Sequence, residues 1–127
     1  MGLDQYFYRR TKGEELKPDT EEELYLRKAN HIRKWIVDNT DYNDDDDCKP
    51  FVLTKDKLEQ LFQACNTVLD DKKQADTVMP TSSGFFFGST DYDDWYFRRV
   101  KEVRDIINGW LSDVDFDTEE IVYYEWW

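Results

Sequence analysis

Asp41, Asn43 and Asp45 stand at alternate positions of an acidic run, the spacing at which a calcium loop turns short oxygen side chains onto one cation. The match goes no further. Such a loop needs Gly at its sixth position and Glu at its twelfth, and here those places hold Asp46 and Val52, so no metal site is expected. His31 is the only histidine. As a general base it would need a nucleophile and an orienting carboxylate, but the chain has no G-x-S-x-G or comparable signature, so His31 is expected to be a hydrogen-bonding or surface residue. Cys48 and Cys65 are too few for a disulfide framework and lack C-x-x-C spacing, which fits a reducing compartment. Cys48 closes an aspartate run that raises its thiol pKa, and Cys65 falls on an apolar stripe, so neither is a nucleophile candidate. The many acids supply pairs for carboxylate chemistry, yet none stands in an apolar setting that would raise a pKa. No catalytic residue and no cofactor are expected.

Two stretches mix bases with aromatic rings: Tyr25, Arg27, Lys28, Arg33, Lys34 and Trp35, and then Trp95, Tyr96, Arg98, Arg99, Lys101 and Arg104. If their helices pack side by side, Arg27, Arg33, Arg98 and Arg99 could line a pocket for a nucleotide or another small anion, with a ring stacked on it. The competing expectation is pairing of these bases with the surplus acids. Thr81 to Gly84 and Gly88 to Thr90 have the glycine and hydroxyl content of a phosphate cradle without P-loop or dinucleotide spacing. Asp91, Asp93 and Asp94 at the following helix start would repel a phosphate, so these loops read as turns.

The charge is more telling. The chain has 127 residues and a net charge of -12. Residues 38–47 carry Asp38, Asp41, Asp44, Asp45, Asp46 and Asp47 with no base. A second base-free set, Asp113, Asp115, Asp117, Glu119, Glu120 and Glu125, accounts for the remaining excess. Two such surfaces repel nucleic acid and anionic lipid and attract a basic partner over a Debye length of about 8 Å.

These residues must be positioned by one domain, 1–127, in which 17% aromatic residues offset a mean hydropathy of -0.87. No apolar run is long enough to span a membrane and the start lacks a signal peptide, so a cytoplasmic protein is expected. Leu3 to Arg10 alternates as a strand, with Leu3, Tyr6 or Phe7, and Tyr8 competing for the inward face. Residues 11–23 read as an exposed loop, Leu24 to Leu26 as a short strand, and Lys28 to Asn39 as a helix through Ala29, Ile32, Trp35 and Ile36. Phe51 to Leu53 is a further short strand. Thr54 is the expected N-cap of a helix through Leu58, Leu61, Phe62, Cys65, Val68 and Leu69. At least two of the three phenylalanines between Gly84 and Gly88 are expected to anchor that loop in the core. Thr90 with Asp93 reads as the capping box of a third helix along Tyr96, Val100, Val103, Ile107, Trp110 and Leu111. Ile121 to Trp127 is a last strand. The fold class is therefore α+β: a small antiparallel sheet, its N- and C-terminal strands paired, packed with three main helices.

Three blocks, the opening MGLDQYFYRR, YLRKANHIRKWIVDN from Tyr25, and PTSSGFFFGSTDYDDWYFRRV from Pro80, together resemble an uncharacterised family of small phage and prophage proteins. The resemblance covers most of the chain and is most specific over Ser83 to Asp94; the acidic tip Asp44 to Asp47 is more extreme here. It implies a phage origin and transfers no catalytic residue. By analogy with small acidic phage proteins, it implies a non-catalytic inhibitor of the anti-CRISPR or DNA-mimic type. Such a protein would sit in the host cytoplasm and bind the basic nucleic-acid-binding surface of a host or defence enzyme, with no direct nucleic acid or membrane contact. The expected contact residues are Asp41, Asp44, Asp45, Asp46, Asp47, Asp113, Asp115, Asp117, Glu119 and Glu120. Sequestration of a small anion by Arg27, Arg33, Arg98 and Arg99 is the alternative.

Overall fold

Period-two alternation and 3.6-residue stripes both survive into the three-dimensional structure, a computed structural model that describes residues 2–42, 49–83 and 88–126. The expectations placed on Asn43 to Cys48 and on Gly84 to Phe87 lie outside the described residues. In chain order the elements are β1 (Asp4–Thr11), β2 (Leu24–Arg27), α1 (Asn30–Asn39), β3 (Phe51–Leu53), α2 (Lys55–Asp70), the short α3 (Ala75–Val78), α4 (Asp94–Asp113) and β4 (Glu119–Trp126). One antiparallel four-stranded sheet has the order β2-β1-β4-β3, so the first and last strands are its central pair.

Register decides which side chains enter the core. Gln5 pairs with Glu125, Phe7 with Tyr123 and Arg9 with Ile121, and by alternation these residues share one face. Phe7 is therefore the inward aromatic of β1, with Leu3 buried before it; Tyr6 and Tyr8 point the other way. The Phe7 ring meets Tyr123 at 5.1 Å and Trp110 of α4 at 5.9 Å between centroids. Each fully buried large side chain of this kind contributes about 1.5–3 kcal/mol. On α2 the buried positions are Leu58, Leu61, Cys65 and Val68; on α4 they are Tyr96, Val100, Val103, Ile107 and Trp110, and the two helices pack together over the sheet.

The helix starts show what local sequence controls. Thr54 caps α2 as expected, its side chain accepting from the Lys57 amide. The cap of α4 is Asp93, which accepts from the Tyr96 amide at 3.0 Å, and not Thr90. A helix begun at Thr90 would wind Tyr92 into its first turn. Instead the Tyr92 hydroxyl accepts from the Thr81 amide at 3.2 Å, and its ring packs edge-on to Tyr96 at 5.1 Å. Helix α1 starts two residues later than the apolar spacing suggests, because Lys28 adopts a left-handed φ of 57° and donates its amide to the Leu3 carbonyl. Its first turn has no side-chain cap of its own. Gln5 serves there: its Oε1 accepts from the Ala29 amide at 2.9 Å and its Nε2 donates to the Ala29 carbonyl at 3.1 Å.

Candidate functional site

The two acidic surfaces have different fates. Asp41 is exposed; Asp44, Asp45, Asp46 and Asp47 lie outside the described residues. In the second set, Glu119 receives Arg9 in a two-point pair at 2.8 and 2.9 Å, diagonal across the β1–β4 ladder. The Arg9 hydrogen bond, with the guanidinium charge behind it, holds the Glu119 carboxyl below its usual range. Glu120 is directly opposite Arg10 and paired with it at 2.8 Å. Glu125 is buried against Arg33, which leaves Asp113, Asp115 and Asp117, all exposed at the turn from α4 into β4. Asp115 shapes that turn: its Oδ1 accepts from the Asp117 amide at 3.0 Å and its carbonyl from the amides of Thr118 and Glu119. Among the described residues, no lysine or arginine forms an ion pair with these three carboxylates.

The four arginines take separate places. Arg27, 59% exposed, lines a surface cavity of about 410 Å³ together with Lys28, Gly88, Ser89, Asp93 and Trp95. Arg99 is not among the residues that line it; its guanidinium lies 5.5 Å over the Trp95 ring while pairing with Glu102 at 2.7 Å. Arg98, one residue away on the helix, lines a different cavity with Lys72, Asp94 and Phe97. Arg33 is internal, held by Glu125 at 2.8 and 3.1 Å. Arg104 bonds Asp105 and Lys34 bonds Asp38, so pairing with the surplus acids accounts for most of these bases.

His31 is neither at the surface nor fully hydrogen-bonded. It is 1% exposed, its ring lies 4.2 Å from Tyr96 and 6.3 Å from Trp95, and its Nε2 has no partner. Burial, and then the charge of Arg99, lower its pKa to about 3, so the imidazole is neutral at physiological pH. A surface position is ruled out because the helical wheel of α1 carries its buried arc past Ile32 to both Asn30 and His31, the latter against Trp95 and Tyr96 of α4. Cys65 is free and buried as expected, and burial pushes its thiol up to about 12, which leaves no thiolate for chemistry. Among the described residues no group of three or more His, Cys, Asp or Glu side chains could hold a metal ion.

A buried polar network escaped the sequence reading. Glu125, fully buried, takes the Arg33 guanidinium and the Tyr123 hydroxyl at 2.8 Å, and Gln5 Nε2 donates to that same hydroxyl at 3.2 Å. Burial raises the Tyr123 hydroxyl far above its ordinary pKa, with the Glu125 charge adding to it. The signal was present in Ile121, Tyr123 and Glu125, which share one period-two phase. No helix among the described residues is long and apolar enough to cross a membrane. Comparison of the chain with family models, with curated proteins and with solved structures finds no match.

Proposed function

We propose that this chain is a non-catalytic binding protein that occupies the basic, nucleic-acid-binding surface of a partner protein. The observation that carries the reading is the exposed triad Asp113, Asp115 and Asp117, held on a hydrogen-bonded turn beside a chain of net charge -12. Carboxylates that form no ion pair among the described residues keep most of their field available to a partner, whereas Glu119 and Glu120, already paired, contribute little to it. Asp41 and Asp44 to Asp47 add five further negative charges with no base among them in the sequence. The sequence resemblance to small phage proteins favours a host or defence enzyme as the target, with inhibition of the DNA-mimic or anti-CRISPR kind.

The test is competition. Purified chain, added to nucleic-acid enzymes of a bacterial host and its defence systems, should displace their DNA in a gel-shift assay. Displacement should weaken steeply as salt rises, as it does for phosphate contacts. Asp113→Asn/Asp115→Asn/Asp117→Asn should lose it, and displacement that is indifferent to both salt and these substitutions would overturn the reading.

A second reading has one observation in its favour, the groove where Arg27 and Lys28 face Trp95. A nucleotide could stack on the indole and meet the two bases. A nucleotide bound at about 100 times its Kd would stabilise the fold by about 2.7 kcal/mol, so a thermal-shift panel of nucleotides decides it.

A further inference from the structure

The alternation that buries Phe7 and Tyr123 also sends a row of aromatic rings to the other side of the sheet. Tyr6 and Tyr8 of β1, Tyr25 of β2, and Tyr124 and Trp126 of β4 share that outer face by register. The rings are contiguous across three strands: Tyr6 lies 5.2 Å from Tyr25, 6.1 Å from Tyr8 and 6.2 Å from Tyr124. Tyr25 is 44% and Trp126 56% exposed. Helices α1 and α4 occupy the opposite face, where Arg33 meets Glu125 and Trp110 meets Phe7. Among the described residues, Leu16, Lys17, Pro18 and Thr20 reach over part of the outer face; with Tyr8, Tyr124 and Pro50 they bound a cavity of about 390 Å³. Tyr6, Tyr8 and Tyr124 are half-buried on the same face, and Trp and Tyr are the residue types that anchor protein interfaces.

The charges around these rings select the occupant. Asp4 accepts the Tyr25 hydroxyl at 2.6 Å, and burial together with the charges of Asp4 and Glu22 raises the Tyr6 hydroxyl, Glu22 acting likewise on Tyr8. The bases on this face are largely engaged: Arg10 by Glu120 at 2.8 Å and Arg27 by Asp4 at 4.0 Å, with Lys17 at the far edge. Bases of a single strand could stack on such rings, but their phosphates would run against Asp4, Glu22 and the net -12. A guanidinium meets the opposite situation, an electron-rich ring in a negative field. Among the described residues a guanidinium makes this contact where Arg99 lies over Trp95 at 5.5 Å, and ammonium groups do likewise where Lys72 lies over Phe97 at 4.9 Å and Lys55 over Phe116 at 5.9 Å.

We infer that the outer tyrosine face is a docking surface for an arginine-bearing segment of a protein partner, whose guanidinium groups stack on Tyr6, Tyr25 and Trp126 while Asp4 and Glu22 balance their charge. The inference rests on the reading that the partner is basic, and it places the specific contact on the sheet, with the Asp113 to Asp117 turn left to long-range attraction.

Two-dimensional NMR titration with an octa-arginine peptide tests it, with octa-lysine and octa-uridylate as comparison probes. Octa-arginine should shift the ring resonances of Tyr6, Tyr25 and Trp126 and bind more tightly than octa-lysine. Tyr25→Ser/Trp126→Ser, both at exposed positions, should weaken it by about tenfold, and Tyr6→Leu should weaken it while keeping the apolar area. Asp113→Asn/Asp115→Asn/Asp117→Asn, which abolishes displacement of DNA from a whole partner by removing long-range attraction, should weaken binding of this short probe less than Tyr25→Ser/Trp126→Ser does. An unchanged melting temperature in each variant shows that the fold is intact. Shifts confined to Asp113, Asp115 and Asp117 would overturn the docking face and leave a basic partner in place. No response to either basic peptide would overturn both readings, and octa-uridylate taking the rings more tightly than octa-arginine would make the face a nucleic-acid platform instead.

Discussion

The guanidinium of Arg33 on α1 and the carboxylate of Glu125 on β4 meet inside the protein, their side chains 7% and 0% exposed, with Nε 2.8 Å from one oxygen and 3.1 Å from the other. The pair ties a helix to a central strand. Removing one member strands a charge in the core, at a cost of about 3–5 kcal/mol, whereas replacing both with apolar residues is often close to neutral. Urea unfolding should therefore show Arg33→Met strongly destabilised and Arg33→Met/Glu125→Met considerably less so. Equal loss in the single and double variants would show that the charge is not what matters.

His31 makes stability depend on acid. Its folded pKa of about 3 lies below the unfolded value of 6.5, so between those limits the unfolded chain binds the extra proton. Stability is then undiminished above about pH 6.5 and falls as pH drops towards 3, by up to about 1.4 kcal/mol per unit from this one group. Glu119, with its lowered carboxyl pKa, adds a loss at the acid end in the same direction. His31→Phe keeps a ring against Tyr96 and removes the titration, so the slope of its urea midpoint against pH should be visibly flatter between pH 6.5 and 4. Parallel slopes would place the titrating group elsewhere.

Asn30 closes the loop before α4 from both sides. Its Oδ1 accepts from the Ser82 amide at 2.9 Å and its Nδ2 donates to the Ser89 carbonyl at 2.8 Å. Asn30→Ala removes both bonds from a 1% exposed position and should cost about 1–3 kcal/mol, with Asn30→Asp, which keeps the bond to Ser82, falling between. Hydrogen exchange at the Ser82 amide should rise in the alanine variant and much less in the aspartate variant.

Gly88 has a φ of +87°, and a Cβ placed on it would lie 2.9 Å from the Lys28 Cβ, which is itself in a left-handed conformation. Gly13 has nearly the same φ, +82°, with open space around it. Gly88→Ala and Gly13→Ala thus share a conformational penalty of about 1–2 kcal/mol and differ in the contact. A thermal melt should show Gly88→Ala as the less stable of the two; equal losses would mean that Lys28 yields freely.

Where local periodicity met a single neighbour, the sequence was legible. The stripe through Leu58, Leu61, Cys65 and Val68, the Thr54 cap, and the pairing of the first strand with the last all follow from spacing and residue type. The phase of β1 did not, because Tyr6, Phe7 and Tyr8 are equally suited to an inward position; register with Tyr123 settles it. The cap of α4 was ambiguous for a similar reason, several good capping residues standing in a row, and the distant Thr81 decided by binding Tyr92. For Arg33 the sequence leaves open a pocket arginine or a partner of a surplus acid, since nothing in its own helix reveals that Glu125, 92 residues away, comes to meet it. Of the candidate contact residues, Asp113, Asp115 and Asp117 kept the exposure expected of them, whereas Glu119 and Glu120 acquired partners that only the ladder could supply.

The central position of β1 and β4 has a bearing on how the molecule is made. The strand at residues 4–11 and the strand at 119–126 are more than one hundred residues apart in the chain, yet each is the other's longest partner. During synthesis β1 emerges early and can pair only with the four-residue β2 until β4 is complete, leaving the inward Phe7 and one strand edge uncovered. Closing so large a loop is entropically slow, and folds dominated by such distant pairings lie at the slow end of the range for small domains. The β1–β4 and β3–β4 ladders therefore wait for translation of β4, and any event that delays that strand prolongs the interval in which the nascent chain can aggregate through β1.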